Sequence, residues 1–220
     1  MKTRILIINP NSTGAMTEEI AAAACKAASP DTEITAVNPP DGPASIQGKA
    51  DGDACLPGLF KLFDERINDS ADYDAVVIAC FDDTGLFELK ARTPLPVLGI
   101  GEAAFHAAAM RGKTFSTVTT LSVSIPIIEE NIARYGFRDR SIKVRASEVP
   151  VLEVGGGTIE IISTEARKAV NEDKCDAVVL GCAGMTGLAE QLNHELGVPV
   201  IDGVATAVAF CEALVKIKTT

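Results

Sequence analysis

The sequence predicts an α/β protein of two similar parallel-sheet lobes, related by a pseudo-two-fold axis and separated by a cleft. Three observations favour this fold class. Short Val/Ile/Leu-rich runs alternate with helix-like segments along the 220 residues. Two stretches of the chain recur at a spacing of 102 to 103 residues. The composition is 47% hydrophobic but only 5% aromatic, with no Trp, which suits helices packed closely on a buried parallel sheet.

Each element follows from hydrophobic periodicity. Short apolar runs rich in β-branched residues predict strands, in chain order at 4–8, 33–37, 75–80, 96–100, 115–119, 142–147, 177–181 and 198–201. The segments between them predict helices, at 13–28, 54–69, 85–91, 102–111, 123–135, 158–173, 186–196 and 204–216. This alternation indicates βαβ units, with helices covering both faces of each sheet.

The repeat divides the chain in two. AVVIACFDDTGL at 75–86 is echoed by AVVLGCAGMTGL at 177–188, so that Cys80 and Cys182 lie 182 − 80 = 102 residues apart. PVLGIGEAA at 96–104 is likewise echoed by PVIDGVATA at 199–207. We therefore predict a first lobe over 1–97, completed by the C-terminal helix within 204–220, and a second lobe over 98–203. Ligands of open parallel sheets bind beyond the carboxyl ends of the strands, so facing lobes would place one thiol on each side of a shared cleft.

Charge and hydropathy exclude several partner classes. A net charge of −10 argues against nucleic acid and against an anionic membrane surface. No apolar run approaches the roughly 20 residues that span a bilayer, and the N-terminal residues lead into a strand instead of a signal peptide. We expect a cytoplasmic protein whose six cysteines are reduced thiols, and a small molecule as its ligand.

Cys80 and Cys182 are the candidate reactive groups. Each follows an apolar strand and precedes a short turn into a helix, where free backbone N–H groups would stabilise a thiolate and lower its pKa. The alternative for any free cysteine is a buried structural role. A disulfide does not suit a reducing compartment, and neither site has the C-x-x-C spacing of redox or zinc motifs. His106 and His194 fall on predicted helices away from the strand ends, which argues against a Cys–His dyad.

Other strand ends carry polar residues. Asn11 and Ser12 follow the first strand, and Thr119 and Thr120 end its counterpart in the second half; these side chains could bind a ligand or cap the next helix. Asp82 and Asp83 could be bases or metal ligands, but a charge at the start of the helix at 85–91 is the simpler role for at least one of them. No other carboxylate or histidine cluster accompanies them, so no metal site is predicted.

Two thiols on opposite sides of a cleft predict inversion of a stereocentre beside a carbonyl. One thiolate removes a proton from one face while the opposite thiol delivers a proton to the other. Backbone N–H groups near the oxygen would stabilise the enolate-like intermediate. Cysteine, with a free pKa of about 8.5, can be tuned to this role, and no cofactor is needed.

The motifs that carry these residues resemble those of the hydantoin racemase family, in the aspartate/glutamate racemase superfamily. They are INPNST at 8–13, ACFDD at 79–83, VTTL at 118–121, LGCAGM at 180–185 and VPVIDG at 198–203. The resemblance implies a two-lobed fold with the active site in the cleft, a homo-oligomer, no cofactor, and racemisation at C5 of 5-monosubstituted hydantoins, allantoin included. It assigns catalysis to Cys80 and Cys182, and substrate binding to Asn11, Phe81, Asp82, Thr119, Thr120, Ala183 and Gly184. Thr84 departs from the pattern, where proline is expected.

Two other functions stay open on the sequence alone. An aspartate or glutamate racemase of the same superfamily would use the same pair of thiols, although the NPNST start favours a hydantoin substrate. A non-catalytic binding protein would have no reason to keep two thiols at matching strand ends. A related decarboxylase would need only one cysteine.

Overall fold

A computed structural model describes residues 2–68 and 72–217 of the chain. In this part of the chain there are eight strands in two four-stranded parallel sheets, ordered β2-β1-β3-β4 and β6-β5-β7-β8. The strands are β1 Thr3–Ile8, β2 Thr32–Val37, β3 Ala75–Ile78, β4 Val97–Gly99, β5 Phe115–Thr119, β6 Ser141–Ala146, β7 Ala177–Gly181 and β8 Val200–Asp202. The second sheet repeats the strand order of the first, which confirms the prediction of two similar α/β lobes.

Helices connect the strands in both halves. They are α1 Gly14–Ala27, α2 Lys49–Asn68, α3 Leu86–Lys90, α4 Ile100–Arg111, α5 Ile125–Arg134, α6 Ile159–Asn171, α7 Leu188–Leu196 and α8 Gly203–Lys216. Most predicted boundaries agree within about two residues; the exception is α2, which begins five residues earlier than predicted. Residue 69 of the predicted second helix, and residues 218–220 of the predicted C-terminal segment, lie outside the described residues.

Alternation along the strands distributes the core. In β1, Ile5 and Ile7 face the core shared by the two sheets, whereas Leu6 and Ile8 face the outer core beneath α2. Successive strand residues point to opposite faces of a sheet, so each sheet packs apolar side chains against a core on both of its faces. An outer core beneath α6 covers the far face of the second sheet.

Helices α4 and α8 join the two lobes. They pack against each other, and α8 also packs against α1 and β3. Their N-termini approach so closely that a Cβ added to Gly203 would lie 2.5 Å from the carbonyl oxygen of Ile100. The predicted lobe boundary at 97/98 stays a prediction; residues 98 and 99 continue β4 and pair with β3.

Candidate active site

The carboxyl ends of four strands meet at one small cavity. Both cysteines that follow equivalent strands, Cys80 after β3 and Cys182 after β7, line it. The cavity volume is about 30 Å³, room for roughly two water molecules. Its lining residues are Asn9, Asn11, Met16, Ile46, Ala79, Cys80, Phe81, Asp82, Thr119, Thr120, Ser124, Val151, Gly181, Cys182 and Ala183.

The Cys80 thiol lies in a turn that favours its protonated form. Its Sγ lies 3.6 Å from the hydroxyl of Thr84, the residue that stands where proline was expected. Burial raises the pKa of Cys80 well above its ordinary value, and the nearby charge of Asp82 raises it further. Hydrogen bonds from Thr84 and from the Asp82 backbone act in the opposite direction and are the weaker influence on this pKa.

The Cys182 thiol has a backbone donor in place of a hydroxyl. The N–H of Gly184 donates to its Sγ at 3.4 Å. Burial nevertheless raises the pKa of Cys182 to about 11, with Asp82 raising it further and the N–H groups of Gly184 and Met185 lowering it. The prediction of lowered thiol pKa values is therefore wrong for this structure, because desolvation of a charged sulfur exceeds the stabilisation from backbone N–H groups.

Asp82 is the one carboxyl group among the lining residues that the structure describes. Its Oδ2 accepts a hydrogen bond from Ser124 at 3.4 Å, and its backbone carbonyl accepts one from Asn131 at 2.8 Å. Burial raises the pKa of Asp82 to about 7, and the Ser124 hydrogen bond opposes that rise. Near neutral pH this side chain is therefore a proton donor or acceptor that acts electrostatically on both thiols.

Asp83, the neighbouring residue, is structural. It is buried and accepts hydrogen bonds from the backbone N–H groups of Gly101 and Glu102, at 3.0 and 2.7 Å, and from the Tyr135 hydroxyl at 2.8 Å. It thus caps α4, not the short helix at 85–91 to which the sequence pointed. A Cβ on Gly99 would lie 1.9 Å from its Oδ1. Burial raises the pKa of Asp83 to about 8 although these hydrogen bonds lower it.

The turn after β1 places an amide in the cavity. Asn11 is buried, and its Oδ1 accepts from Asn9 Nδ2 and from the Thr13 backbone N–H, each at 2.9 Å. Ser12, which the sequence offered as a ligand-binding residue, instead donates its hydroxyl to the carbonyl oxygen of Gly42 at 3.1 Å. Ser12 therefore fixes the loop after β2 to this turn.

The remaining predicted residues occupy different positions around the cavity. Thr119 and Thr120 line it, and Thr119 Oγ1 donates to the Gly181 carbonyl at 3.1 Å. Phe81 is buried against Phe105, with ring centroids 5.3 Å apart. Ala183 lines the cavity, whereas Gly184 lines an adjoining pocket instead.

Seven lining residues are not among the predicted site residues: Asn9, Met16, Ile46, Ala79, Ser124, Val151 and Gly181. Asn9 lies within the INPNST motif and Met16 follows it, so their place beside a strand end is a signal that could have found them. Ala79 and Gly181 directly precede the two cysteines and carry the same signal. Ser124 begins the segment before α5. Ile46 and Val151 belong to long loops after β2 and β6, and no local pattern marks them. Their position depends on contacts between residues about a hundred positions apart.

In the part of the chain that the structure describes, the cavity lining contains neither a set of metal ligands nor a histidine. His106 lies on α4 and His194 on α7, and neither lines the cavity. No group of three or more His, Cys, Asp or Glu side chains is arranged to hold a metal ion within the described ranges. Across the same residues, no helix has the length and apolar character needed to cross a bilayer.

Comparison with known proteins gives consistent matches along the chain. Residues 5–211 match the family described as Asp/Glu/Hydantoin racemase. A hydantoin racemase of Rhizobium meliloti is 43% identical over 213 residues, covering 96% of this chain and 88% of the relative. A hydantoin racemase of Pseudomonas sp. (strain NS671) is 40% identical over 217 residues, covering 97% of this chain and 86% of the relative.

Solved structures agree with this similarity. The allantoin racemase from Klebsiella pneumoniae superposes with a TM-score of 0.94 at 41% identity, covering 98% of this chain and 89% of that one. The allantoin racemase of Pseudomonas fluorescens gives a TM-score of 0.90 at 37% identity, with coverages of 98% and 92%. A glutamate racemase of Bacillus anthracis, at 17% identity and a TM-score of 0.64, covers 97% of this chain and 82% of its own and shares the fold.

Proposed function

The chain belongs to the Asp/Glu/hydantoin racemase family, and on that premise we propose that it racemises 5-monosubstituted hydantoins, allantoin included, through Cys80 and Cys182. The observation that carries this proposal is that two thiols from equivalent strand ends of two similar lobes line one cavity. A two-base racemase needs an acid/base group on each face of the reacting carbon.

The proposed chemistry is a proton exchange at C5. The thiolate of one cysteine takes the C5 proton, and the electron pair moves onto the adjacent ring carbonyl to give an enolate. The thiol of the other cysteine then protonates C5 from the opposite face and becomes the thiolate. The working site therefore holds one thiolate and one thiol, which exchange roles with the substrate enantiomer.

The raised thiol pKa values shape this mechanism. Cys80 and Cys182 both favour the protonated form because they are buried beside Asp82, so a thiolate in this site is a strong base. A strong base is suited to a carbon acid, whose proton is much less acidic than a free thiol. The pKa of Asp82 is raised to about 7. When Asp82 is protonated it carries no negative charge, so it disfavours thiolate formation less.

The lining favours a neutral ring over an amino acid. Its polar groups are the amides of Asn9 and Asn11 and the hydroxyls of Thr119, Thr120 and Ser124; among the described lining residues there is no Lys or Arg. These groups can donate to carbonyl oxygens and accept from ring N–H groups. An aspartate or glutamate racemase remains the second candidate, and its two substrate carboxylates would here face Asp82 without a cation.

We also propose that the enzyme is a cytoplasmic homo-oligomer. Its six cysteines are all free, which suits a reducing compartment. Met110 and Leu214 are exposed beside an apolar groove between α4 and α8, and such faces are typical of subunit interfaces. Light scattering coupled to gel filtration tests the assembly, and a monomer at micromolar concentration would contradict it.

The test of the catalytic proposal follows the C5 proton of each enantiomer in D2O. We expect the parent to racemise a 5-substituted hydantoin with deuterium incorporation. Cys80→Ser and Cys182→Ser should each lower racemisation by about 10³-fold or more. Each variant should still exchange the C5 proton of one enantiomer with retention, and the enantiomer should differ between the two variants.

Cys25→Ser is the matched control, because Cys25 is exposed on α1 and is not among the residues that line the cavity. It should racemise at the parental rate. Parental rates in both cavity variants would contradict the two-thiol mechanism. Turnover of aspartate or glutamate without turnover of any hydantoin would favour the amino-acid racemase, and normal ligand binding without turnover in the parent would favour a binding protein.

A further inference from the structure

Three apolar side chains from separate segments contribute to the lining of the cavity, and we call them the apolar wall: Met16, Ile46 and Val151. Each is at most 8% exposed. They come from three separate segments, since Met16 lies on α1, Ile46 in the loop after β2, and Val151 in the loop after β6. The lining also carries two thiols, two amides and three hydroxyls, so the cavity offers both polar and apolar groups to a ligand.

The two loops of the wall hold each other across the cleft. The backbone N–H of Val151 donates to Oε1 of Gln47 at 3.1 Å, joining residues 104 positions apart. Gly48 packs tightly against Val123, because a Cβ at Gly48 would lie 2.8 Å from a Val123 methyl group. The loop after β2 is further fixed by Thr13, whose hydroxyl donates to the Ala44 carbonyl at 2.6 Å. The wall is therefore held in place by contacts from both lobes.

A second pocket lies directly behind the wall. It has a volume of about 100 Å³, and Met16 and Val151 line it as well as the cavity with the thiols. Those two side chains are therefore the partition between the two spaces. The turn after Cys182 also reaches the second pocket through Gly184.

From this arrangement, and resting on the proposed racemase function, we infer that Val151 limits the size of the C5 substituent that the enzyme accepts. The polar lining is suited to the hydantoin ring, which leaves the apolar wall for the substituent. The cavity is small, so we expect a compact substituent to lie against Val151 and a bulky one to collide with it. Removing the partition would join the pocket behind it to the site and admit bulkier substituents.

The test compares two substrates on the same enzyme preparation, 5-methylhydantoin and 5-benzylhydantoin. In Val151→Ala, the ratio of kcat/KM for the benzyl over the methyl substrate should rise about 10-fold or more above the parental ratio. In Val151→Phe, which thickens the partition, it should fall below the parental ratio. Because both substrates meet the same folded fraction, the ratio does not depend on how much of a variant folds.

Leu152→Ala is the matched control. Leu152 is the next residue of the same loop, is 53% exposed, and lines the pocket behind the wall but not the cavity itself. The benzyl-to-methyl ratio of kcat/KM in Leu152→Ala should stay within about twofold of the parental ratio. A parent that racemises while Val151→Ala keeps the parental ratio, or while Leu152→Ala changes it equally, overturns the inference alone. A parent that racemises no hydantoin overturns the proposed function and the inference with it.

Discussion

In each lobe an aspartate links the turn after the cysteine to the start of a helix. The aspartate lies on the turn in the first lobe and at the helix start in the second. In the first lobe, Asp83 belongs to the cysteine turn and reaches forward to cap α4 through the backbone N–H groups of Gly101 and Glu102. In the second lobe, the aspartate is Asp202, which ends β8 and caps α8 itself. The repeat aligns Asp202 with Gly99, so the second half carries the aspartate where the first half carries a glycine.

Asp202 reaches back to the cysteine turn. Its Oδ1 accepts from the N–H groups of Val204 and Ala205, at 2.8 and 3.2 Å. Its Oδ2 accepts from the Thr186 hydroxyl at 2.6 Å and from the Gly187 N–H at 3.2 Å. The two lobes therefore share a hydrogen-bonded connection between the cysteine turn and a helix start, although the aspartate that makes it stands at a different position in each lobe. The cleft also has unlike walls, since only the first turn places a carboxyl group, Asp82, in the cavity.

The largest expected effect comes from the glycine that faces Asp83. In Gly99→Ala the new Cβ would lie 1.9 Å from Asp83 Oδ1 and 2.9 Å from a Leu86 methyl group, so the cap on α4 must break. We expect the free energy of unfolding to fall by about 3 kcal/mol or more, measured by urea denaturation with circular dichroism. Gly14→Ala is the control, because nothing lies within 4 Å of its Cβ position. Equal stability of the two variants would refute the role of close approach at Gly99.

A second effect is the dependence of stability on pH that Asp83 produces. Burial raises the pKa of Asp83 to about 8, whereas the pKa of an unfolded aspartate is about 3.9. At a pH between these two pKa values, the folded state binds one more proton than the unfolded state. The stabilising contribution is therefore complete below about pH 4 and is lost as the pH rises through about 8, with a slope of up to about 1.4 kcal/mol per pH unit.

Urea midpoints between pH 5 and 8.5 measure that slope. Asp83→Asn should have a shallower loss of stability with rising pH than the parent, because the titrating carboxyl is gone. If Asp83→Asn retains the parental slope, Asp83 does not titrate in this range.

The smallest expected effect concerns the charge shared by the two thiols. Asp82 raises the pKa of both Cys80 and Cys182, so Asp82→Asn should increase the thiolate fraction of each. In a Cys25→Ser background at pH 8.5, we expect iodoacetamide to label both cysteines about threefold faster or more, followed by peptide mass spectrometry. A rate that changes at one cysteine only would show that Asp82 does not act on both sides of the cleft.

Much of the fold was accessible from the sequence because its signals are local and duplicated. Strand β7 was predicted to the residue, since the run at 177–181 is apolar and is bounded by Asp176 and a glycine-containing turn. The pairing of Cys80 with Cys182 in one cavity followed from the repeat and from the rule that ligands lie beyond strand ends. The sequence does not predict the start of α2, because Gly52 and polar residues give its first turn no apolar periodicity. In the structure that turn is closed by the backbone N–H of Gly52, which donates to the Gly48 carbonyl oxygen.

By itself the sequence determined two parallel α/β lobes with a thiol at an equivalent strand end of each, because hydrophobic periodicity and internal repetition are written in neighbouring residues. Only the tertiary structure decided that Asp83 caps α4, that Val151 meets Gln47 across the cleft, and that both thiols favour the protonated form. Each of these depends on which groups distant in the chain are brought together and on how much water the packing removes from them.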